Sequence, residues 1–274
     1  MMIFNILQRF NFNLTMAILQ FNKYQGAGND FIIIDNRKGI FNPDDSELII
    51  RLCNRRFGIG ADGLILISDN MDYDFEMQYF NADGFESTMC GNGGRCSADF
   101  AIKAGIAGKS MRFKAIDGTH KAISEEGIIR LQMNDIKDPG LINNNYFINT
   151  GSPHYVVFRD NVNNIDVDSE GKEIRWSEDF APGGTNVNFV EKEKEGIFVR
   201  TFERGVEAET LSCGTGVTAS AIAAVISGQF DTNTVNVRTR GGDLSVSMKM
   251  SGKNINDIWL SGPATFVFQG EIDV

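Results

Sequence analysis

Histidine is nearly missing from this chain: 274 residues contain two, with only four Cys and five Pro. Cys53, Cys90, Cys96 and Cys213 make no Cys-x-x-Cys pair, which excludes the usual structural zinc spacing. So few Cys in so long a chain form no disulfide framework and fit a reducing cytosol, hence a cytoplasmic protein. Basic charge is short as well, with 26 Lys+Arg against 36 Asp+Glu and a formal net charge of −10. That balance argues against nucleic acid or an anionic membrane as partner, since both call for a basic stripe. It leaves room for a small anion in a locally positive site. No apolar run approaches the roughly 18 residues of a membrane span. In the opening segment MMIFNILQRFNFNLT, Asn5 breaks the apolar stretch and Arg9 follows it rather than precedes it, so it is not read as a signal peptide. Met16 opens a cleaner start, and residues 1–15 are expected to be an extension outside the fold, an upstream start or a disordered tail.

What is present is ordinary for a globular protein: 42% hydrophobic residues and 29 Gly. The length suggests one large domain or two lobes, and a chain of this size buries roughly three quarters of its unfolded surface. Short apolar or alternating runs read as strands at Phe31–Asp35, Leu64–Ser68, Phe75–Phe80, Met111–Ala115, Ile128–Met133, Tyr155–Phe158, Val187–Val190, Ile197–Phe202, Val235–Thr239, Leu244–Met248 and Thr265–Phe268. Helices are expected over Asp44–Arg55, with Asn42-Pro43 as cap and first helical residue, and over Gly91–Ala104 and Gly214–Ser227. Gly105 and Gly228 suit the position just past the last two. Many strands with few helices predict an α+β fold, with curled sheets wrapped round a helix.

An internal repeat organises these elements. A shift of 123 carries Gly28 to Gly151, Ile32–Ile34 to Tyr155–Val157, Tyr79 to Phe202, Glu86 to Glu209, Cys90 to Cys213, Gly91 to Gly214, Gly93 to Gly216, Ala98 to Ala221 and Gly105 to Gly228. Packing alone accounts for matched Gly and apolar positions, but less well for the matched Cys. The expectation is two homologous lobes that face each other, with Cys90 and Cys213 related by a pseudo-two-fold.

Each of these Cys stands just before a helix, in Cys90-Gly91-Asn92-Gly93-Gly94-Arg95 and in Cys213-Gly214-Thr215-Gly216-Val217. A helix start exposes unpaired N–H groups and a positive partial charge. It should stabilise a thiolate, and bare Gly backbone there can close on a carboxylate. Two such starts facing one cavity would place a thiol on each side of an α-carbon. That is the arrangement for two-base inversion of a stereocentre: one thiolate removes the proton and the opposite thiol returns one to the other face. Preorganised N–H donors would stabilise the charge that develops on the carboxylate. The two titrations would be coupled.

Other readings stand beside this one. Cys53 and Cys96 read as small core hydrophobes. Cys90 and Cys213 could be a redox pair, which leaves the Gly-rich anion cradles without a purpose. Gly58-Ile-Gly60-Ala-Asp-Gly63 matches a dinucleotide fingerprint in letters but follows a helix and precedes a strand, the reverse of the required order. Gly214-Thr-Gly216-Val-Thr-Ala219 opens a helix, yet the polar Gly205–Cys213 stretch before it does not suit a buried strand.

The sequence resembles the diaminopimelate epimerase family. The resembling stretches are Gly26-Ala-Gly-Asn29-Asp-Phe31, Asn81-Ala-Asp-Gly84, Cys90-Gly-Asn-Gly-Gly-Arg-Cys96, Gly151-Ser-Pro-His154, Thr185-Asn186-Val-Asn188-Phe189, Glu203-Arg204-Gly205 and Cys213-Gly-Thr-Gly216. They run in family order from about Met16 to the C-terminus. The related proline racemase-like enzymes usually carry His where this chain has Asn92. The resemblance implies interconversion of LL- and meso-diaminopimelate without pyridoxal phosphate or metal, in lysine and cell-wall precursor synthesis. It implies two pseudo-symmetric lobes, each a curled, mostly antiparallel, barrel-like sheet around a central helix: residues 16–132 with 264–274, and residues 133–263. It also implies a homodimer.

Carried over by motif, Cys90 and Cys213 are the acid/base pair. The N–H groups of Gly91, Asn92, Gly214 and Thr215 hold the reacting carboxylate. Asn29, Asn81, Ser152, Asn186 and Arg204 bind substrate, with Asn81, Asn186 and Arg204 at its distal carboxylate. Glu203 meets the reacting ammonium, and His154 sits close to the thiol pair. Each has an ordinary alternative. The three Asn suit turns, Glu203 and Arg204 suit a solvated surface pair, and His154 suits a satisfied core position. Asp30, Asp62 and Arg95 are read as structural. Two departures bear on the distal end of the substrate. Ser152 stands where the family often has Asn, and Gly63 stands where it has a substrate-contacting Gln, a contact that a water or neighbour would have to replace.

Overall fold

The computed structural model describes residues 18–274. The extension expected over residues 1–15 lies outside the described residues. Among the described residues four α-helices, α1 (Ser46–Cys53), α2 (Gly91–Lys103), α3 (Val167–Arg175) and α4 (Gly214–Ile226), accompany one mixed sheet of nineteen strands.

The repeat is written into strand pairing. In the first half, Asn29–Asp35 runs parallel to Gly63–Ser68, which is antiparallel to Phe75–Asn81, which in turn is parallel to Ser110–Ala115. Two antiparallel pairings, through Gly118–Glu125 to Ile128–Gln132, complete it. The second half repeats every step: Pro153–Phe158 is parallel to Asn186–Glu193, which is antiparallel to Gly196–Glu203, which in turn is parallel to Thr234–Thr239. Gly242–Ser251 and Asn254–Gly262 follow as antiparallel strands. Register repeats as well, for Phe31 pairs with Gly63 where His154 pairs with Asn186. The match slips by one residue in the next hairpin. Ile65 pairs with Tyr79 while Asn188 pairs with Thr201, so Tyr79 answers to Thr201 rather than to Phe202. The cause is local: a loop joins Ser68 to Phe75, whereas the second-half strands run on to a tight turn between Glu193 and Gly196.

The innermost strands are apolar on both faces because both faces are covered. Ile33, Ile65 and Ile67 join a central core with α2 and α4, while Ile32, Ile34, Leu64 and Leu66 pack on the α1 side with Ile49 and Leu52. In the second half, Val156, Val190 and Val199 face the central core and Tyr155, Val187 and Phe189 face α3. Each half is thus a curled sheet with its own central helix, and both helices share one core. Strand Asn254–Gly262 pairs with Ile128–Gln132 across the halves, and Thr265–Asp273 returns to Ile18–Gly26.

α2 and α4 begin and end within one residue of expectation, and Gly105 (φ 68°) and Gly228 (φ 73°) follow their caps in the left-handed conformation. α1 is shorter than expected. Asp45, not Asn42, is its cap and accepts from the Leu48 N–H at 3.0 Å, while the Asn42 side chain turns the chain at Asp44. α3 was not expected; its sequence VDSEGKEIR is mostly polar, but Asp166 caps it and Val167 and Ile174 anchor it.

Candidate active site

The two helix starts converge. Cys90 and Cys213 are the caps of α2 and α4, both with extended backbone and neither side chain capping its helix. Behind them Gly91 and Gly214 touch. A Cβ on Gly214 would lie 3.4 Å from Gly91 Cα, one on Gly91 would lie 3.7 Å from Gly214 Cα, and each would press on the same Leu260 methyl. A Cβ at either position would sit in ordinary contact with the opposite helix but would crowd Leu260, at 3.2 Å from Gly91 and 3.1 Å from Gly214. Asn92 clamps the junction, its Nδ2 donating to Ser212 O at 3.1 Å across the halves.

Burial pushes both thiols up. At Cys90 the N–H groups of Gly93 and Asn92 and the Arg95 charge pull back, while nearby Glu203 adds to the rise. At Cys213 the Glu203 charge again raises, against a hydrogen bond with Thr215 and the Gly216 N–H. The thiolate-favouring helix start expected from the sequence is therefore present but outweighed by desolvation.

The other predicted residues gather round this junction in different ways. Asn29 presents Oδ1 to Cys90 Sγ and to Asn92 Nδ2, both at 3.4 Å, because its Nδ2 is held by Asp62 at 2.6 Å. Asp62 and Asp30 are bound by Arg55, and Lys23 pairs with Asp30 at 2.7 Å and donates to Gly60 O. Burial alone would raise Asp30, but Arg55 and Lys23 hold its carboxyl at about 2. Ser152 Oγ accepts from Asn186 Nδ2 at 2.7 Å, and Asn186 Oδ1 accepts from the Arg204 N–H at 2.8 Å. Asn186 is itself buried and also donates to Pro153 O. It therefore fixes Ser152 and Arg204 instead of pointing freely outward. The Arg204 side chain is exposed and has no ion pair or hydrogen bond among the described residues. Glu203 accepts from Thr210 at 2.9 Å; burial raises its carboxyl, against hydrogen bonds from Thr210 and Cys213. Asn81, half-buried, ends the strand that pairs with Gly63. A Cβ on Gly63 would meet Phe80 O and the Tyr79 ring at 2.5 Å, so packing demands Gly at this position.

His154 is completely buried, and burial pushes its pKa down to about 3. Its Nε2 lies 2.9 Å from Thr215 Oγ1, so it meets Cys213 through that hydroxyl instead of directly. Two residues at the site had no expected role: Asn188, on His154, and Thr201, on Asn188. Arg95 has the structural place its sequence context suggests. It is a fully buried cation with no carboxylate partner among the described residues, and it donates to Gly91 O and Asn92 Oδ1. No group of three or more His, Cys, Asp or Glu among the described residues is arranged to hold a metal ion.

Comparison with known proteins decides the family. The model described as "Diaminopimelate epimerase" matches residues 21–134 and 146–267. A diaminopimelate epimerase of Flavobacterium psychrophilum is 51% identical over 252 residues, covering 91% of this chain and 98% of that one. One from Chlorobaculum tepidum is 45% identical over 257 residues, covering 90% and 98%.

The chain belongs to the diaminopimelate epimerase family.

It is accordingly an enzyme, an epimerase of the family that serves lysine and peptidoglycan precursor synthesis. The fold is more widely shared. A Bacillus anthracis phenazine biosynthesis protein of the PhzF family superposes with TM-score 0.73 at 15% identity, covering 94% of this chain and all of that one. A hydroxyproline epimerase of Agrobacterium vitis superposes with TM-score 0.69 at 12% identity, covering 94% and 93%. Within the described residues, no helix is long and apolar enough to cross a membrane.

Proposed function

We propose that this member of the family inverts the α-carbon of diaminopimelate, LL to meso and back, by proton transfer between Cys90 and Cys213 with no cofactor. The observation that carries the reading is the contact of Gly91 with Gly214, which brings two Cys-capped helix starts to one place. The substrate's reacting carboxylate fits the N–H groups of Gly91, Asn92, Gly214 and Thr215, whose dipoles stabilise the charge that develops as the α-proton leaves. Glu203 receives the ammonium. One sulfur, as thiolate, takes the proton; the other, as thiol, delivers its own to the opposite face, so charge and proton count are conserved. Asn29, Ser152, Asn81 and Arg204 hold the remainder, with Asn186 fixing Ser152 and Arg204. Arg204, exposed and unpaired among the described residues, suits the distal carboxylate.

The first lobe comprises residues 16–132 with 264–274, the second residues 133–263, and the enzyme works in the cytoplasm as a homodimer. Light scattering should give twice the chain mass. The decisive experiment is turnover in D2O. Deuterium should enter Cα of LL-diaminopimelate, with no pyridoxal absorbance in the enzyme, and a reduced enzyme that exchanges nothing would overturn the reading. A side-by-side assay of other LL-amino acids fixes the distal specificity.

A further inference from the structure

Behind Cys213 runs a row of buried polar side chains. Asn188 and Thr201 pair directly across neighbouring strands, and they are 0% and 3% exposed. They lie on the strand face whose next members, Val190 and Val199, belong to the central core. At the equivalent places in the first half the chain has Ile65 and Tyr79, and it has Phe31 where His154 stands. An amide, a hydroxyl and an imidazole in a core are costly unless each is hydrogen-bonded, and here each is.

The donor and acceptor inventory gives the row a direction. Tyr155 O can only accept, so the Asn188 atom facing it at 3.4 Å is Nδ2. Asn188 Oδ1 then accepts from the Thr201 hydroxyl at 3.0 Å. The same Nδ2 faces His154 Nδ1 at 3.1 Å, so that nitrogen carries no proton. A neutral ring must then carry its proton on Nε2 and donate it to Thr215 Oγ1 at 2.9 Å. The Thr215 hydroxyl is left with one proton and one further partner among the described residues, Cys213 Sγ at 3.4 Å. Glu203 accepts from the Cys213 thiol on another side, so the two act on that sulfur in opposite senses. Cys90 has backbone N–H donors from Gly93 and Asn92 but no hydroxyl among its partners in the described residues. Its sulfur faces Asn29 Oδ1, an acceptor, since Asn29 Nδ2 is committed to Asp62.

We propose that Thr201, Asn188, His154 and Thr215 form a one-way hydrogen-bond chain ending on the Cys213 sulfur, in which Asn188 and Thr201 are positioning residues that fix the His154 tautomer and thereby favour the Cys213 thiolate. The burial that keeps His154 neutral agrees with this. Without Asn188 the ring can move its proton to Nδ1 and accept from Thr215, which withdraws the hydroxyl proton from the sulfur. The titratable and charged groups whose charge bears on the chain are Glu203 and Cys90, acting on Cys213, and Arg204, acting on His154; none is altered in the variants below. The inference rests on the two-thiol reading of the site.

Two readouts test it on the full-length enzyme. With only two His in the chain, 15N NMR can assign the His154 tautomer. Wild type should carry the proton on Nε2, and Asn188→Leu should move it wholly or partly to Nδ1. Alkylation by iodoacetamide, followed at each Cys by mass spectrometry against pH, should show the Cys213 midpoint rising by about one pH unit in Asn188→Leu, with Cys90 unmoved. Thr201→Val should give a smaller shift in the same direction, and Thr201→Ser should restore the wild-type profile. A wild-type His154 protonated on Nδ1 overturns the proposal even if no variant folds, as does a shift shared by both thiols or absent from both. Failure of the two-thiol reading looks different: Cys213→Ala would retain epimerisation whatever the His154 tautomer.

Discussion

The two halves of this enzyme offer one backbone to two sulfurs and line it with different chemistry. At Cys90 the helix carries Arg95, a buried cation that donates to Gly91 O at 3.2 Å. At the matching place behind Cys213, Thr218 donates to the matching carbonyl, Gly214 O, at 2.9 Å. Charge supports one thiol and an uncharged row of hydroxyl, imidazole and amide supports the other. Asn81 and Glu203 end equivalent strands, and Asn29 answers to Ser152. The difference teaches what duplication can and cannot supply. A repeated fold delivers two helix starts for the price of one design, but an α-carbon carries four unlike substituents, so its two sides need unlike linings.

The comparison breaks outright if only one thiol matters. Cys90→Ala and Cys213→Ala should each lower kcat by about a thousandfold or more, as loss of a general acid or base does, with melting temperatures near wild type. An enzyme still turning over without one of them would end the two-thiol account. Arg95→Met sharpens the contrast. With its cation gone, Cys90 should lose reactivity at a given pH by about tenfold while Cys213 keeps its own profile, the mirror image of the change at Asn188. Arg204→Gln touches the distal end, where loss of a charged hydrogen bond predicts a KM rise of about 10- to 100-fold with kcat little changed.

Stability effects are smaller. Asp30→Asn should cost about 1–2 kcal/mol at neutral pH by urea denaturation, discounted for the partly exposed pair. The native carboxyl is held at about 2, below its ordinary 3.8. Its contribution is thus complete above pH ~4 and disappears as pH falls through about 2, so wild type and variant should converge in acid. Least of all, Cys53→Ala, at a buried site on the α1 side, should leave activity intact and cost about 1 kcal/mol.

Much of this was legible in the sequence. The Gly that follow α2 and α4, the offset of 123 and the paired Cys marked the central helices to within a residue. Elements stabilised by partners were harder to see. Gly118–Glu125, with the sequence GTHKAISE, holds its place through ladders on both sides, and α3 through two apolar anchors and an Asp cap. Asn188 and Thr201 were illegible for another reason: a polar residue inside an alternating strand reads as a solvent-facing one. The available signal was the repeat, because Asn188 falls where the offset places Ile65, and a polar residue matched to an apolar core position calls for a bonding partner. The expected fall in thiol pKa fails because both thiols are buried, and burial is something no local motif encodes.

Where Gly91 meets Gly214, nothing but peptide separates the noses of the two helices. The spacing of the two helix starts is then set by main chain, with Leu260 as a common stop behind it. A side chain on either nose would have to shoulder Leu260 aside first, so two missing carbons keep the halves in register.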